Sequence, residues 1–195
     1  MPKCDWCKGS DIYERYHDEE WGVPLLDEHK TFEFLILEGV QAGLSWLTVL
    51  KRREDYRLVY EQFNAEKMAR WGDHRIEQLM LDSRIIRNRL KIESARRNAQ
   101  AYLAMLEAGQ SLQSFFWDFV EGQPIQNQFH SMSDVPAQTD LSVKISKALK
   151  KLGFNFVGPT IVYAHMQAMG LVNDHLLGCE RHSACETLAK RMGEQ

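Results

Sequence analysis

The sequence predicts an all-α protein, and three observations carry that prediction. Apolar residues recur at helical spacing in segment after segment, almost no stretch alternates with a period of two, and Ser, Asp and Asn residues stand where helices should start. Asp27 caps a helix running through Leu37 to Ala42 and closed by Gly43. Ser45 caps the next, in which Trp46, Leu47, Val49 and Leu50 repeat helically before Tyr56, Val59 and Tyr60. Asn64 opens a short helix through Met68, and Asp73 opens another through Ile76, Leu79 and Met80. A long helix follows from about Asn88 to Glu107, stopped at Gly109, and Ser111 starts a shorter one with Leu112, Phe115, Phe116 and Phe119. Residues Glu121 to Pro136, rich in Gln and Asn and holding Gly122, Pro124 and Pro136, form the best loop or lobe boundary. Beyond it, a helix from Asp140 or Leu141 ends at Gly153, and Pro159 sits in the first turn of a helix that stops at Gly170. No internal repeat is visible.

Bulk composition excludes several classes. A chain of 195 residues suits one domain, expected over 1–195, with room for a real core. With 44% hydrophobic and 26% charged residues it reads as a soluble protein, and its longest apolar runs are far too short to span a bilayer. The polar start offers no signal segment, so a cytoplasmic location is expected. Four cysteines are too few for a disulfide scaffold and suit metal or free thiols. A net charge of −3 leaves only local basic faces to meet a polyanion. Two exist: Arg84, Arg87, Arg89, Lys91, Arg96 and Arg97, and the run Lys144, Lys147, Lys150 and Lys151. Such runs are more often solvated helix surface than binding sites.

Metal-type residues sit at both ends of the chain. Cys4 and His17 near the start and His175 and Cys179 near the finish would make a closed tetrahedral zinc site that staples the termini and leaves no position for substrate. The i, i+4 spacing of His175 and Cys179 would put both on one side of a helical turn. Cys7 completes a C-x-x-C with Cys4, and His182 and Cys185 are further candidates, so spacing alone leaves the ligand set open.

The segment around 141–169 is helix, Gly153-Phe154-Asn155-Phe156-Val157-Gly158, helix. That layout fits a helix-hairpin-helix element, in which hairpin N–H groups and a helix N-terminus meet a phosphate, and it fits an ordinary αα-hairpin equally well. Lys147, Lys150 and Lys151 lead straight into it. Unusual side chains concentrate elsewhere. Glu38 follows an apolar helical run, where a carboxylate is either at a rim or buried for a purpose. Gly39 and Gly43 bracket it, and Trp6, Tyr13, Tyr16, Trp21 and Trp46 could box a flat ligand or simply belong to a core.

The sequence resembles the 3-methyladenine DNA glycosylase I family of the helix-hairpin-helix superfamily. The matching residues are Cys4, Tyr13, Tyr16-His17-Asp18, Glu20-Trp21-Gly22-Val23-Pro24, Leu37-Glu38-Gly39, Gln41 to Trp46, Thr48-Val49-Leu50, Ile85 to Asn88, the Lys147 to Gly158 hairpin and Gly170 to His175. They extend from about residue 3 to 180. The resemblance implies a monofunctional bacterial repair enzyme that flips 3-methyladenine out of double-stranded alkylated DNA and hydrolyses its N-glycosidic bond. It implies one structural zinc on Cys4, His17, His175 and Cys179, with Cys7 a possible competitor and His182 and Cys185 outside the set. Glu38 and Tyr16 would contact the base, with Trp46 as stacking wall and Tyr13, Trp21 and Trp6 completing the pocket. Gly43, Leu44 as wedge, Lys147, Lys150, Lys151, Gly153 and Gly158 would face DNA. Free 3-methyladenine would be a product ligand and the protein a monomer. The catalytic Asp of many related glycosylases is absent from the family, which leaves Asp174 a supporting or capping role beside His175.

Two other classes compete. A zinc-stapled binding module would need phosphate contacts but would not explain Glu38 among aromatics. A zinc hydrolase needs an open metal position and a general base such as His-Glu-x-x-His, which is absent. There is no Gly-Lys-Ser loop or dinucleotide fingerprint, so no organic cofactor is expected, and no lysine is placed for β-elimination.

Overall fold

The computed structural model describes residues 3–193 and is predominantly helical. Helices α1 (Asp11–Glu19), α2 (Glu28–Gln41), α3 (Trp46–Leu50), α4 (Arg53–Val59), α5 (Ala65–Ala69), α6 (Asp73–Leu81), α7 (Arg89–Glu107) and α8 (Leu112–Asp118) precede strand β1 (Ile125–Gln126). Then come α9 (Asp140–Lys151), α10 (Pro159–Ala168), strand β2 (Val172–Asn173) and α11 (Glu180–Met192).

The capping side chains act where the sequence placed them. Asp27, Ser45, Asn64, Asn88 and Ser111 each accept a hydrogen bond from a first-turn N–H of the following helix. Two boundaries move. The segment after Ser45 divides at Lys51 and Arg52 into α3 and α4, and α6 is capped by Gly72, with Asp73 its first residue. Helix α9 starts at Asp140, as expected, and is capped by Thr139, which forms a reciprocal pair with Ser142.

The 121–136 segment is largely loop, as expected, but it is tied to the rest of the fold rather than separating lobes. Strand β1 pairs in parallel with β2, Ile125 opposite Val172 and Gln126 opposite Asn173, which stitches this segment to the chain leaving α10. Two-residue strands carry too few positions to show alternation.

Helices α2, α5, α7, α9 and α10 pack around one large core that includes Leu35, Ile36, Tyr60, Ile92, Ile145 and Met166. A smaller cluster of Cys4, Tyr16, Trp21, Phe34, Leu50, Ala168 and Cys179 lies where the two ends of the chain meet. Here residues 20–25 cross the strand leaving α10. Gly22 N–H donates to Gln167 O at 2.9 Å, and Leu25 N–H to Met169 O at 2.9 Å. Glycine is required on both sides of this crossing. A Cβ on Gly170 (φ +67°) would lie 2.4 Å from the Val23 carbonyl carbon, and one on Gly22 (φ +75°) would press the His175 ring at 3.0 Å.

One core residue stands out as a liability. His165 of α10 is fully buried on Phe116 (ring centroids 4.6 Å apart), and neither ring nitrogen has a partner among the described residues. Burial alone pushes its pKa from 6.5 down to about 3. The unfolded chain therefore takes up a proton below pH 6.5 that the fold refuses, and stability is lost as pH falls from 6.5 toward 3. His165→Leu should raise stability by about 1 kcal/mol or more at neutral pH, the scale of one unsatisfied buried polar group, and flatten that acid limb. Urea denaturation at pH 7 and pH 5 would measure both; an unchanged acid limb would show that His165 does not cause it.

Candidate active site and metal centre

The second turn of α1 carries Tyr16 and His17, both buried, pointing into the small cluster. The C-terminal half of α2 carries Glu38, 3% exposed. Trp46 opens α3 immediately after the glycine turn at Gly43. The 3-10 turn Asp5–Cys7 brings in Trp6, and the loop after α1 brings in Trp21. All of these except His17 line a cavity of about 340 Å³, with Tyr13 and Gln41 also on its wall. All five aromatics expected from the sequence are present. Trp6 meets Tyr13 at 4.7 Å and Trp21 at 5.0 Å, both edge-on, and Tyr16 meets Trp46 at 5.4 Å. The indole N–H groups of Trp6 and Trp46 are buried without partners among the described residues.

The remaining wall was not legible in the sequence. Met132, Val135, Pro136 and Ala137 come from the segment stitched down by β1, and Thr160, Tyr163, Ala164 and Gln167 from one face of α10. Asp174 lies behind that face. Its carboxylate accepts from Tyr163 Oη at 2.7 Å, Gln167 Nε2 at 2.8 Å and Asn127 Nδ2 at 2.6 Å. The supporting role expected for Asp174 therefore goes to two pocket side chains rather than to His175.

Glu38 has no salt-bridge or hydrogen-bond partner among the described residues, and burial raises its pKa from 4.5 to about 8. Lying near the negative end of the α2 dipole, it gains nothing there as an anion. Burial therefore favours the protonated carboxyl at neutral pH. Tyr16 is raised well above its usual value, by burial and then by the Glu38 charge.

Cys4, His17, His175 and Cys179 converge directly behind this pocket, all buried, with their ligand atoms within 4.8 Å of one another. His175 Nδ1 is 3.2 Å from His17 Nε2. Cys179 Sγ is 3.5 Å from His17 Nε2 and 3.8 Å from His175 Nδ1, and Cys4 Sγ is 3.9 Å from His175 Nδ1. Metal–ligand bonds of about 2.0–2.3 Å place the corners of a tetrahedron roughly 3.3–3.8 Å apart, so the group can hold a metal ion. The outer nitrogens are tied down: His17 Nδ1 pairs with Asp18 at 2.7 Å, and His175 Nε2 donates to Trp21 O at 2.9 Å. That leaves His17 Nε2 and His175 Nδ1 to face the centre. Burial raises the Cys4 thiol to about 12, a penalty on the thiolate that a bound cation would offset, and lowers His175 to about 3, which keeps its imidazole in the neutral form that binds metal.

Cys7 lies outside this group, its thiol donating to the Cys4 carbonyl at 3.1 Å. His182 is engaged with Asn127 O at 2.8 Å, and Cys185 lies outside the cluster. The helical turn expected to join His175 and Cys179 is absent. His175 follows β2 in extended chain, and Cys179 is the N-cap of α11 after a turn at Leu177–Gly178.

The chain matches the methyladenine glycosylase family model over residues 6–182. It belongs to the methyladenine glycosylase family. It is 50% identical over 179 residues to DNA-3-methyladenine glycosylase 1 of Escherichia coli, covering 92% of this chain and 96% of that protein. The DNA-3-methyladenine glycosylase of Haemophilus influenzae is 49% identical over 177 residues, 91% of this chain and 96% of the relative. A crystal structure of 3-methyladenine DNA glycosylase I superposes with a TM-score of 0.90 at 49% identity, covering 92% and 98% of the two chains. A 3-methyladenine DNA glycosylase I from Staphylococcus aureus, solved for the basis of 3-methyladenine recognition, gives 0.88 at 38% identity over 92% and 96%.

Of the residues expected to face DNA, Gly43, Lys147, Lys150, Lys151 and Gly153 are exposed, whereas Leu44 and Gly158 are partly buried. Lys144, Lys147, Lys150 and Lys151 are all exposed, and none forms an ion pair among the described residues. Arg84, Arg89, Arg96 and Arg97, by contrast, each sit within 4 Å of a carboxylate. Gly158 has an ordinary backbone, and a Cβ there would meet nothing within 4 Å, so the fold itself does not demand glycine. Leu44 is half-buried at the tip beside Gly43. No described helix is long and apolar enough to cross a membrane.

Proposed function

We propose that this protein, folded as a single domain over 1–195, is a monofunctional DNA N-glycosylase that removes 3-methyladenine from alkylated duplex DNA and so starts base excision repair. The observation that carries the reading is a buried, unpartnered Glu38 inside an aromatic pocket of purine size, in a chain half identical to named 3-methyladenine glycosylases.

N3-alkylation gives the nucleobase positive charge and makes it a good leaving group, so the enzyme's task is extrusion, selection and admission of water. Hydrolysis breaks the bond from C1′ to the base, the electron pair neutralises the ring, and water adds to C1′ with loss of one proton. Glu38 and Tyr16 are the polar pair that meets the base. A cationic ring between Trp46 and the opposing aromatics gains roughly 0.5–2 kcal/mol per good contact, which neutral adenine does not. A damaged base is also cheaper to flip. Trp46→Ala should weaken binding of 3-methyladenine and its excision by about tenfold, on the scale of one lost base–aromatic stack. Unchanged binding in a fluorescence titration would remove Trp46 from recognition.

Leu44 with Gly43 serves as the wedge, and Lys147, Lys150, Lys151 and the Gly153–Gly158 hairpin hold phosphates without reading sequence. Zinc fits the Cys2His2 donor set best. With all four positions filled by protein, that ion acts on folding rather than on substrate. The protein is expected to act as a cytoplasmic monomer. The test is whether it leaves abasic sites in methylated duplex that break only on later alkali treatment. Strand cleavage by the protein itself would contradict a monofunctional reaction.

A further inference from the structure

We propose that Lys91 and Asn98, seven residues apart on α7, are positioning residues that hold the base-displacing loop and the phosphate-gripping hairpin in register with each other. This rests on the reading of Leu44 as wedge and 153–158 as DNA-binding hairpin.

Lys91 is 8% exposed, yet it has no carboxylate partner among the described residues. Its ammonium donates instead to Val40 O and Ala42 O, each at 2.7 Å. Those carbonyls belong to the last turn of α2 and the start of the wedge loop, where helical acceptors run out and a cation is favoured by the dipole. Burial lowers the Lys91 pKa, so its place is not one a lysine takes for solvation. Gln41 closes the same loop from the other side, its Nε2 donating to Leu44 O at 2.7 Å.

Two turns further along α7, Asn98 is 2% exposed. It makes a two-way pair with the hairpin backbone: Nδ2 donates to Asn155 O at 3.0 Å, and Asn155 N–H donates to Oδ1 at 2.7 Å. Seven residues of helix return to the same face after about 10.5 Å. A single rigid rod therefore grips both loops by their backbones through side chains that are costly to bury for any other reason. The hairpin also packs against the last turns of α2, from which the wedge loop leaves, since a Cβ on Gly39 would stand 3.4 Å from Phe156 Cβ. Flipping needs the wedge to enter the stack at a fixed offset from the gripped phosphates, and this spacing supplies the offset.

The test compares Lys91→Met and Asn98→Leu with the parent in three assays: melting temperature, affinity for free 3-methyladenine, and excision from methylated duplex. Free base needs the pocket but neither the wedge's entry into the stack nor the grip on phosphates. We expect both variants to bind free 3-methyladenine within about twofold of the parent and to lose at least tenfold in excision, a change of about 1.4 kcal/mol. Lys91→Arg, which can still reach two carbonyls, should recover most of the loss. Parental excision in both variants overturns the proposal. So does an equal loss of free-base affinity, since the residues would then act on the pocket or the fold. If Lys91→Met does not fold, Lys91→Gln and Asn98→Leu decide the question by the same criteria. A parent that neither binds nor excises 3-methyladenine refutes the proposed function, independently of α7.

Discussion

Removing one thiolate from the metal centre, as in Cys179→Ala, should lower the melting temperature by about 10–20 °C. Structural zinc contributes an apparent 10–16 kcal/mol or so in small peptides. This chain also has a large core, so a loss of about 5 kcal/mol is the reasonable scale, and each kcal/mol shifts a domain of this size by about 2–4 °C. The damage should not stop at stability. Trp21 lies 4.7 Å from the His175 ring and 6.2 Å from His17, and Trp6 lies 5.4 Å from His17, so two pocket walls rest on two ligands. Affinity for free 3-methyladenine should therefore fall with the metal, below the melting point, while a chelator leaves any surviving folded enzyme chemically competent. Calorimetry of parent and variant checks the first part. A melting temperature unchanged by Cys179→Ala would mean that the four residues are not a metal centre.

Glu38→Gln should move stability and activity in opposite directions. The folded pKa of about 8 lies above the ordinary 4.5, so the carboxyl's contribution to stability is fully present below 4.5 and is lost as pH rises through 8. The amide carries no such penalty, and the variant should be more stable than the parent at pH 8 by up to a few kcal/mol. Activity goes the other way. A cationic base draws the proton off Glu38 and then meets a carboxylate, a charge-assisted contact of roughly 1.5–3 kcal/mol. Its loss should cost about tenfold to a hundredfold in kcat/KM. Parental affinity for the charged base should rise with pH up to about 8 and then level, whereas the variant should show no such rise. Unaltered excision by Glu38→Gln would take Glu38 out of the chemistry. Gained stability with lost activity is what a site selected for function rather than for folding predicts.

The cap residues and helical periodicities were legible in the sequence because they are local: a side chain at Asp27 or Asn88 bonds an N–H three residues away. Glu38, Trp46 and the four Cys and His residues that could hold a metal were legible as a family pattern; the structure puts the first two on one cavity and clusters the other four. What stayed hidden depends on long-range crossings. The β1–β2 pairing joins residues 47 positions apart through two-residue strands with no periodic signal. It carries Met132, Val135 and Pro136 onto the pocket from a stretch that looks like a loop. Lys91 looked like one more member of a basic run, since only tertiary contact separates it from its ion-paired neighbours. The spacing of His175 and Cys179 suggested a helical turn, but an extended chain and a helix N-cap reach the same centre.

The measurement that bears most directly on the central claim is chromatography of the bases set free from methylated duplex DNA, with Glu38→Ala run beside the parent. The account predicts release of 3-methyladenine but not of 7-methylguanine, with release lost or sharply reduced in the variant. No release by folded, metal-loaded protein, or equal release by parent and variant, would contradict it.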